Sequence, residues 1–262
     1  MKIMTKPAEM QKASLAWQRR GESVALVPTM GALHEGHVAL IRRAAKLADR
    51  VVVSAYVNPT QFNSRLDFKK YPHTSDWDFR CARQAGADVL FRPKSLYAKD
   101  ASTWVEEGAR ARGRCGAWRP DHFRGVATVV VKLLGIVQPQ VVVFGEKDLQ
   151  QCEVVERVVR DLFLPVRIVR HPTIREADGL ALSSRNLRLN SIQRRLAGRW
   201  AGAVREAAGS GARVGAVKLR VLLRGVNGIR LEYAEVVEGH LCAAAYVGKI
   251  RLIDHRRCRE KS

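Results

Sequence analysis

The stretch VALVPTMGALHEGHVALIRRAAKLADRVVVSAYV, residues 24–57, decides the fold of this chain. It starts with a short apolar run, residues 24–28, that is typical of a strand. Residues 37–49 carry apolar side chains at helical spacing, with basic side chains elsewhere, which predicts an amphipathic helix. A second apolar run, residues 51–57, is typical of a strand covered on both faces. Strand, helix and strand in this order predict a parallel unit of an α/β sheet.

The same alternation continues through the first two-thirds of the chain. The predicted elements that follow are a helix over 76–85, a strand over 87–93, a helix over 123–137, a strand over 140–145, a helix over 149–163 and a strand over 166–170. This order predicts an α/β fold with a doubly wound parallel sheet and helices on both faces. Ligands of such sheets bind outside the carboxyl ends of the strands, so we expect functional residues in the loops that follow them.

The last third of the chain has a different pattern. Residues 203–220 are rich in glycine, alanine and arginine and only weakly periodic, which predicts a loop or a degraded helix. Residues 230–241 and 243–254 have the alternating character of strands, which is typical of a small α+β module. We therefore predict two domains, a larger one over 1–173 and a smaller one over 174–262.

The chain is strongly basic, because its 262 residues include 46 Lys and Arg against 25 Asp and Glu, a formal net charge of +21. Such a charge attracts nucleotides, phosphates, RNA or acidic lipids, and a solvated arginine-rich surface would give the same composition. Aromatic residues make up only 6% of the chain, and no RNA-binding pattern of aromatic residues is present. We therefore expect no specific nucleic-acid partner.

Cysteine usage and hydropathy indicate the cellular compartment. The five cysteines are scattered and form no CxxC pair, so neither a disulfide framework nor a zinc ribbon is expected. The first residues lack the apolar core of a secretory signal, and no apolar run approaches the ~20 residues that span a bilayer. The sequence predicts a soluble cytoplasmic protein without a membrane partner.

The loop inside the opening stretch is where we expect chemistry. Small residues follow the first strand, and His34 and His37 lie one helical turn apart at the start of the next helix. The first turn of a helix exposes N–H groups and a partial positive charge, which favour phosphate. Half of a metal site and two ordinary surface histidines are the other interpretations. A metalloprotease is not expected, because the spacing lacks the HExxH glutamate.

Several sequence blocks, in order along almost the whole chain, resemble one family. They are PTMGALHEGH (28–37), VNPTQF (57–62), YPHTSDWD (71–78), RPDHFRGVATVV (119–130), FGEKDLQQ (144–151), READGLALSSRN (175–186) and VGKIRLID (247–254). Together they resemble the pantothenate synthetase (pantoate–β-alanine ligase) family of the nucleotidyltransferase superfamily, which carries a His-x-Gly-His motif. Several blocks in the right order are far more specific than one short motif.

The resemblance implies a fold and a reaction. The fold would be a Rossmann-like domain that binds the nucleotide and pantoate, followed by a small C-terminal lid. In the reaction, the carboxylate of (R)-pantoate attacks the α-phosphorus of ATP and releases pyrophosphate, and the amine of β-alanine then attacks the pantoyl adenylate and releases AMP. The resemblance further implies Mg²⁺ with the ATP substrate, and a homodimer.

The resemblance also implies roles for individual residues. The ATP-binding positions are Met30, Gly31, His34, His37, Gly145, Lys147, Asp148, Ser183, Ser184 and Arg185, of which His34, His37, Lys147 and Arg185 are catalytic. The pantoate-binding positions are Gln61 and Gln151. Asp78 is a weak candidate for Mg²⁺, although the helix dipole explains an aspartate at a helix start equally well. Asn58 is either a turn residue or a direct substrate contact.

Three segments depart from the family pattern. Arg114 and Cys115 stand where the family usually has Leu-Glu, His73 replaces an arginine, and residues 201–230 look short and degenerate. A missing acidic group or a weaker lid would raise the Michaelis constants or admit water to the adenylate. Another nucleotidyltransferase with a different acceptor and an RNA-binding relative are the alternatives. The two pantoate-binding glutamines favour the ligase, because they match a small hydroxy-acid pocket.

Overall fold

A computed structural model describes residues 1–260 of the chain. The chain forms two compact units, one built from residues 1–146 and 150–172, and the other from residues 147–149 and the chain from Thr173 onward. Each unit has a hydrophobic core of its own. Within residues 1–260, no helix is long and apolar enough to cross a membrane.

The first unit is built on a six-stranded parallel sheet. Its strands are β1 (Lys2–Met4), β2 (Val24–Thr29), β3 (Arg50–Ala55), β4 (Val89–Phe91), β5 (Val141–Gly145) and β6 (Arg167–His171). They lie in the order β1-β4-β3-β2-β5-β6, with every neighbouring pair parallel. The predicted doubly wound parallel sheet is confirmed. Strand β1 was not predicted, because three residues leave too short a pattern to recognise.

The helices of this part of the chain join the strands and cover the sheet. They are α1 (Pro7–Arg19), α2 (Glu35–Ala45), α3 (Arg65–Lys69), α4 (Ser75–Gln84), α5 (Arg114–Trp118), α6 (His122–Val137) and α7 (Leu149–Asp161), with short 3-10 helices at Pro59–Gln61 and Glu146–Asp148. Helix α2 begins two residues before the predicted 37–49 segment, because His34 already acts as its N-cap. His34 is therefore the N-cap of α2, and His37 lies in its first turn.

The central strands are apolar on both faces because each face meets a different core. Val24 and Leu26 of β2 belong to one core with residues of α1, α6 and α7. Ala25 and Val27 belong to a second core with residues of α2 and α4. Successive side chains of a strand point to opposite faces, so a sheet covered by helices on both sides needs apolar residues at every position.

The strand order reverses between β2 and β5. From β2 the chain adds β3 and β4 on one side, and it later adds β5 and β6 on the other. In doubly wound sheets, ligands bind in the crevice outside the carboxyl ends of the strands at such a reversal. The loop that carries His34 leaves β2, and Gly145 is the last residue of β5. Both therefore lie at the place where a ligand of this fold is expected.

The second unit packs two helices against a three-stranded antiparallel sheet. Its elements are α8 (Ser191–Gly209), α9 (Gly215–Leu223), β7 (Ile229–Val237), β8 (His240–Val247) and β9 (Ile250–Arg257). The prediction of a small α+β module is confirmed. Over 203–220, where the sequence predicts a loop or a degraded helix, the structure has helix on both sides of a short turn at residues 210–214. The segment contains the end of α8 and part of α9, because burial of residues such as Ala207 and Leu219 in the core of the second unit stabilises these weakly periodic helices.

Candidate active site

His34 and His37 lie at the N-terminus of α2, where both rings cap the helix. Nδ1 of His34 accepts a hydrogen bond from the Gly36 N–H at 3.1 Å, and Nδ1 of His37 accepts one from the His34 N–H at 3.3 Å. The two ring centroids are 4.0 Å apart. Because Nδ1 is the acceptor in each ring, the proton of the neutral imidazole lies on Nε2. The helix terminus thus carries two adjacent Nε2–H donors at its positive end.

The loop before these histidines is held by Asp78 of α4. Gly31 and Ala32 have left-handed backbone angles, with φ of 80° and 51°. The buried Asp78 carboxylate accepts hydrogen bonds from the Ala32 N–H at 3.1 Å, the Leu33 N–H at 2.8 Å and the Thr74 hydroxyl at 2.9 Å. Both oxygens of the residue considered for Mg²⁺ are therefore already bonded to the protein.

Gln61 lies at the end of the 3-10 helix Pro59–Gln61, and its Nε2 is 3.2 Å from Sδ of Met30. Asn58 is the N-cap of this short helix and is buried. Its Nδ2 donates to Oε1 of Gln61 at 3.0 Å and to the Gly125 carbonyl at 3.1 Å. Asn58 is thus a turn residue whose side chain also orients the amide of Gln61.

The backbone carbonyl of Gln61 is held by two residues of the RPDHF block. His122 Nδ1–H donates to it at 2.8 Å, and Nη2 of Arg119 donates to it at 3.1 Å. Nη1 of Arg119 is 3.1 Å from Nε2 of His122, which accepts from the guanidinium. A ring that donates through Nδ1 and accepts through Nε2 is neutral. The main chain and the side chain of Gln61 are therefore fixed independently.

Gln151 lies in the first turn of α7, and its neighbour Gln150 binds the segment that leads into α5. Oε1 of Gln150 accepts from the Cys115 N–H at 3.0 Å, and its Nε2 donates to the Arg110 carbonyl at 2.9 Å. Gln150 is buried, whereas Gln151 is partly exposed. The amide of Gln150 therefore holds the chain near α5, whereas the amide of Gln151 is accessible to a ligand.

Arg114, which stands where the family usually has leucine, forms a buried ion pair with Glu153 of α7. Nη2 of Arg114 is 2.5 Å from Oε2 of Glu153, and Nη1 is 3.2 Å from Oε1. The side chains are only 6% and 9% exposed. A buried pair is stable only with good geometry, which this two-point contact provides. The departure from Leu-Glu thus brings a paired cation into the segment.

The predicted nucleotide contacts Lys147, Asp148, Ser183, Ser184 and Arg185 lie in the second unit. Nζ of Lys147 is 3.6 Å from Oδ2 of Asp148. Ser183 is the N-cap of the 3-10 helix Ser184–Arg188, and its hydroxyl accepts from the Arg185 N–H at 3.2 Å. These residues therefore form two local groups, one directly after Gly145 of β5 and one on the second unit's own 3-10 helix.

The sequence matches the pantoate-beta-alanine ligase family over residues 2–257. The chain belongs to this family. Pantothenate synthetase 1 of Bradyrhizobium diazoefficiens is 42% identical over an alignment of 275 residues that covers 97% of each chain. Pantothenate synthetase of Nitratidesulfovibrio vulgaris is 50% identical over 196 residues, which is 74% of this chain and 69% of the relative. The chain is therefore a pantoate–β-alanine ligase.

Solved structures of pantoate–β-alanine ligases are similar along almost the whole chain. Pantothenate synthetase from Thermus thermophilus has a TM-score of 0.89 and 39% identity, with coverage of 98% of this chain and 99% of that one. The ligase from Francisella tularensis, in complex with beta-gamma ATP and β-alanine, has a TM-score of 0.89 and 35% identity. The alignment covers 98% of this chain and 97% of the Francisella ligase.

Sequence reasoning about the ligase missed the residues that support the substrate-binding candidates. Gln150 and Glu153 lie next to Gln151 in the sequence, but only the fold shows that both bind the segment around Arg114. The backbone N–H groups that bond to Asp78, those of Ala32 and Leu33, are more than forty positions away along the chain. Local patterns carry no signal for such contacts. The structure shows that these polar groups are buried, and a buried polar group requires a hydrogen-bond partner.

Proposed function

We propose that the histidine pair at the N-terminus of α2 binds the triphosphate of ATP while the pantoate carboxylate attacks its α-phosphorus. The observation that carries this proposal is the 4.0 Å separation of the two rings at the N-terminus of α2. The charge that develops on the phosphoryl oxygens needs donors that are already in place, and two Nε2–H groups at a helix terminus supply them. The Pα–O bond to pyrophosphate then breaks, and the acyl adenylate forms.

We propose that Gln61 and Gln151 bind pantoate. An amide donates to a carboxylate and accepts from a hydroxyl without adding charge, which suits a small hydroxy acid that must remain nucleophilic. The support for Gln61 is its double fixation, through Asn58 at the side chain and through His122 at the main chain. An amide held in this way loses little conformational freedom on binding.

The remaining nucleotide contacts are proposed from the residue types. Lys147 suits a phosphate oxygen and Asp148 a ribose hydroxyl, and Met30, Gly31 and Gly145 would border the nucleotide. The 3-10 helix that Ser183 caps would provide hydroxyls and the Arg185 guanidinium for the β- and γ-phosphates. In this proposal the second unit acts as the lid domain.

Mg²⁺ would reach this site on the phosphates of ATP. Within residues 1–260, no group of three or more His, Cys, Asp or Glu side chains is arranged to hold a metal ion. The oxygens of Asp78 are bonded to Ala32, Leu33 and Thr74 and are buried. These residues therefore do not fit a protein-held ion.

We further propose a homodimer in the cytoplasm, as in the family. Light scattering of the purified protein tests the dimer.

The reaction is tested with purified protein, ATP, (R)-pantoate and β-alanine, omitting each substrate in turn. We expect pyrophosphate to require ATP and pantoate, and AMP release to require all three substrates. Pyrophosphate formed without pantoate would contradict the proposed order of steps. AMP released equally without β-alanine would contradict the assignment of the acceptor.

The role of the histidines is tested by substitution. His34→Ala and His37→Ala should each lower kcat for pyrophosphate formation on the order of 10²-fold, as expected when a transition-state donor is removed. His240→Ala is the control, because His240 lies on β8 of the second unit, where its Nδ1 bonds to the Glu238 carbonyl. Near-normal turnover of both alanine variants of the pair would refute their role.

A further inference from the structure

The carboxylate of Asp78 accepts hydrogen bonds from two consecutive backbone N–H groups. Oδ2 accepts from the Ala32 N–H and Oδ1 from the Leu33 N–H, at 3.1 and 2.8 Å. The residue is 4% exposed. Consecutive N–H groups next to left-handed residues form a concave anion site. Here the anion is the protein's own carboxylate, so these two N–H groups are not available to a phosphate.

The loop needs such an anchor because its backbone is strained. Ala32 has a φ of 51°, a conformation that L-residues rarely adopt. Gly31 has a φ of 80°, and a Cβ at this position would lie 2.9 Å from Oδ2 of Asp78. A strained conformation persists only where its surroundings hold it. The carboxylate and the loop are therefore fitted closely to each other.

Two further bonds from the same region of α4 fix the arrangement. The Thr74 hydroxyl donates to Oδ1 of Asp78 at 2.9 Å, which sets the orientation of the carboxylate. Nε1–H of Trp77 donates to the Leu33 carbonyl at 2.8 Å. The N–H and the carbonyl of Leu33 are thus both bonded to α4, one residue before the N-cap of α2.

We propose that Asp78 is a positioning residue of the ligase, which sets the location of His34 and His37 by holding Ala32 and Leu33 to α4. The inference rests on the proposed function, in which the histidines bind the triphosphate. His34 follows Leu33 directly, and the two rings cap one helix, so a displaced loop moves both donors together. Adenylation then slows, whereas Gln61 keeps the hydrogen bonds from Asn58 and His122.

The test compares Asp78→Asn with Asp76→Asn. Both substitutions remove one negative charge from the first turn of α4, but Asp76 is exposed. Asparagine keeps the volume of Asp78 but turns an N–H donor toward one of the two loop N–H groups. We expect faster hydrogen exchange at residues 32–33 and a fall in kcat for pyrophosphate formation of about tenfold or more. KM for pantoate should change by less than about threefold, and Asp76→Asn should match the wild type.

Thr74→Val provides a second, milder variant, because it removes only the hydroxyl that orients the carboxylate. It should give smaller changes of the same sign and covers the case in which Asp78→Asn does not fold. Exchange and kcat equal to those of Asp76→Asn, in both variants, would overturn the proposal, as would faster exchange with an unchanged kcat. Wild-type protein that forms no pyrophosphate from ATP and pantoate would instead overturn the proposed function, while the exchange result would still report on Asp78.

Discussion

Substitution of Gly125 by alanine should impair pantoate use more than any other property of the ligase. Gly125 lies in the first turns of α6, against the 3-10 helix that ends at Gln61. A Cβ at this position would lie 2.5 Å from the Thr60 carbonyl oxygen, 2.7 Å from its carbon and 2.9 Å from the Gln61 nitrogen. All three are backbone atoms, so no side-chain rotation relieves the contact.

The expected loss of activity follows from how far the backbone of the 3-10 helix must move to make room for the added Cβ. Ordinary contact needs about 1 Å more separation, and Asn58 and His122 transmit the displacement to the amide of Gln61. A misplacement of about 1 Å costs on the order of 10²-fold in rate. We therefore expect kcat/KM for pantoate to fall on the order of 10²-fold, and the free energy of unfolding to fall by about 1–3 kcal/mol from overpacking.

The assay is pyrophosphate release at saturating ATP with pantoate varied, together with urea unfolding. Gly135→Ala is the matched control, because Gly135 lies in the same helix and an added Cβ would meet no atom within 4 Å. It should keep kcat/KM and raise the free energy of unfolding by about 0.5–1 kcal/mol, since alanine is the better helix former. A folded Gly125→Ala variant with wild-type kcat/KM for pantoate would refute the reasoning.

Two further predictions concern stability. Glu153→Ala removes the carboxylate that the buried Arg114 guanidinium contacts at two points, so it should lower the free energy of unfolding in urea by about 3–5 kcal/mol. The double variant with leucine at both positions should recover most of this loss, and no recovery would contradict a desolvation cost. The hydrogen bond from Arg194 lowers the pKa of Asp178. Its stabilisation is therefore present above the usual carboxylate pKa and lost as pH falls below it, so the stability difference between wild type and Asp178→Asn should shrink between about pH 6 and about pH 3.

The elements of the first unit could largely be predicted, because their signal is local. An apolar run of five or six residues or an apolar stripe at helical spacing is visible within a short window. The strands near residues 24–28 and 51–57 and the helix between them are present, with ends shifted by a few residues. The weakly periodic segment 203–220 could not be predicted in this way, since its helices depend on burial of apolar side chains in the core of the second unit.

The candidate site, too, could be predicted only where its signal is local in the sequence. The sequence placed His34 and His37 at the start of the helix that follows the first strand, and it supplied the motifs that resemble the family. It gave no sign that Asp78 accepts two hydrogen bonds from the loop before His34, or that a Cβ at Gly125 would meet the backbone of the 3-10 helix. Both contacts join segments more than forty residues apart, which no local period encodes.

The sequence by itself determined the order of strands and helices, the identity of the chemical groups and their positions at element ends. Only the tertiary structure decided the spatial strand order, and with it the position of the His34 loop and Gly145 at the reversal between β2 and β5. It also decided which buried polar groups pair, as Arg114 does with Glu153. The physical reason is that backbone periodicity is a property of neighbouring residues, whereas desolvation forces each buried polar group to find a partner wherever the chain brings one.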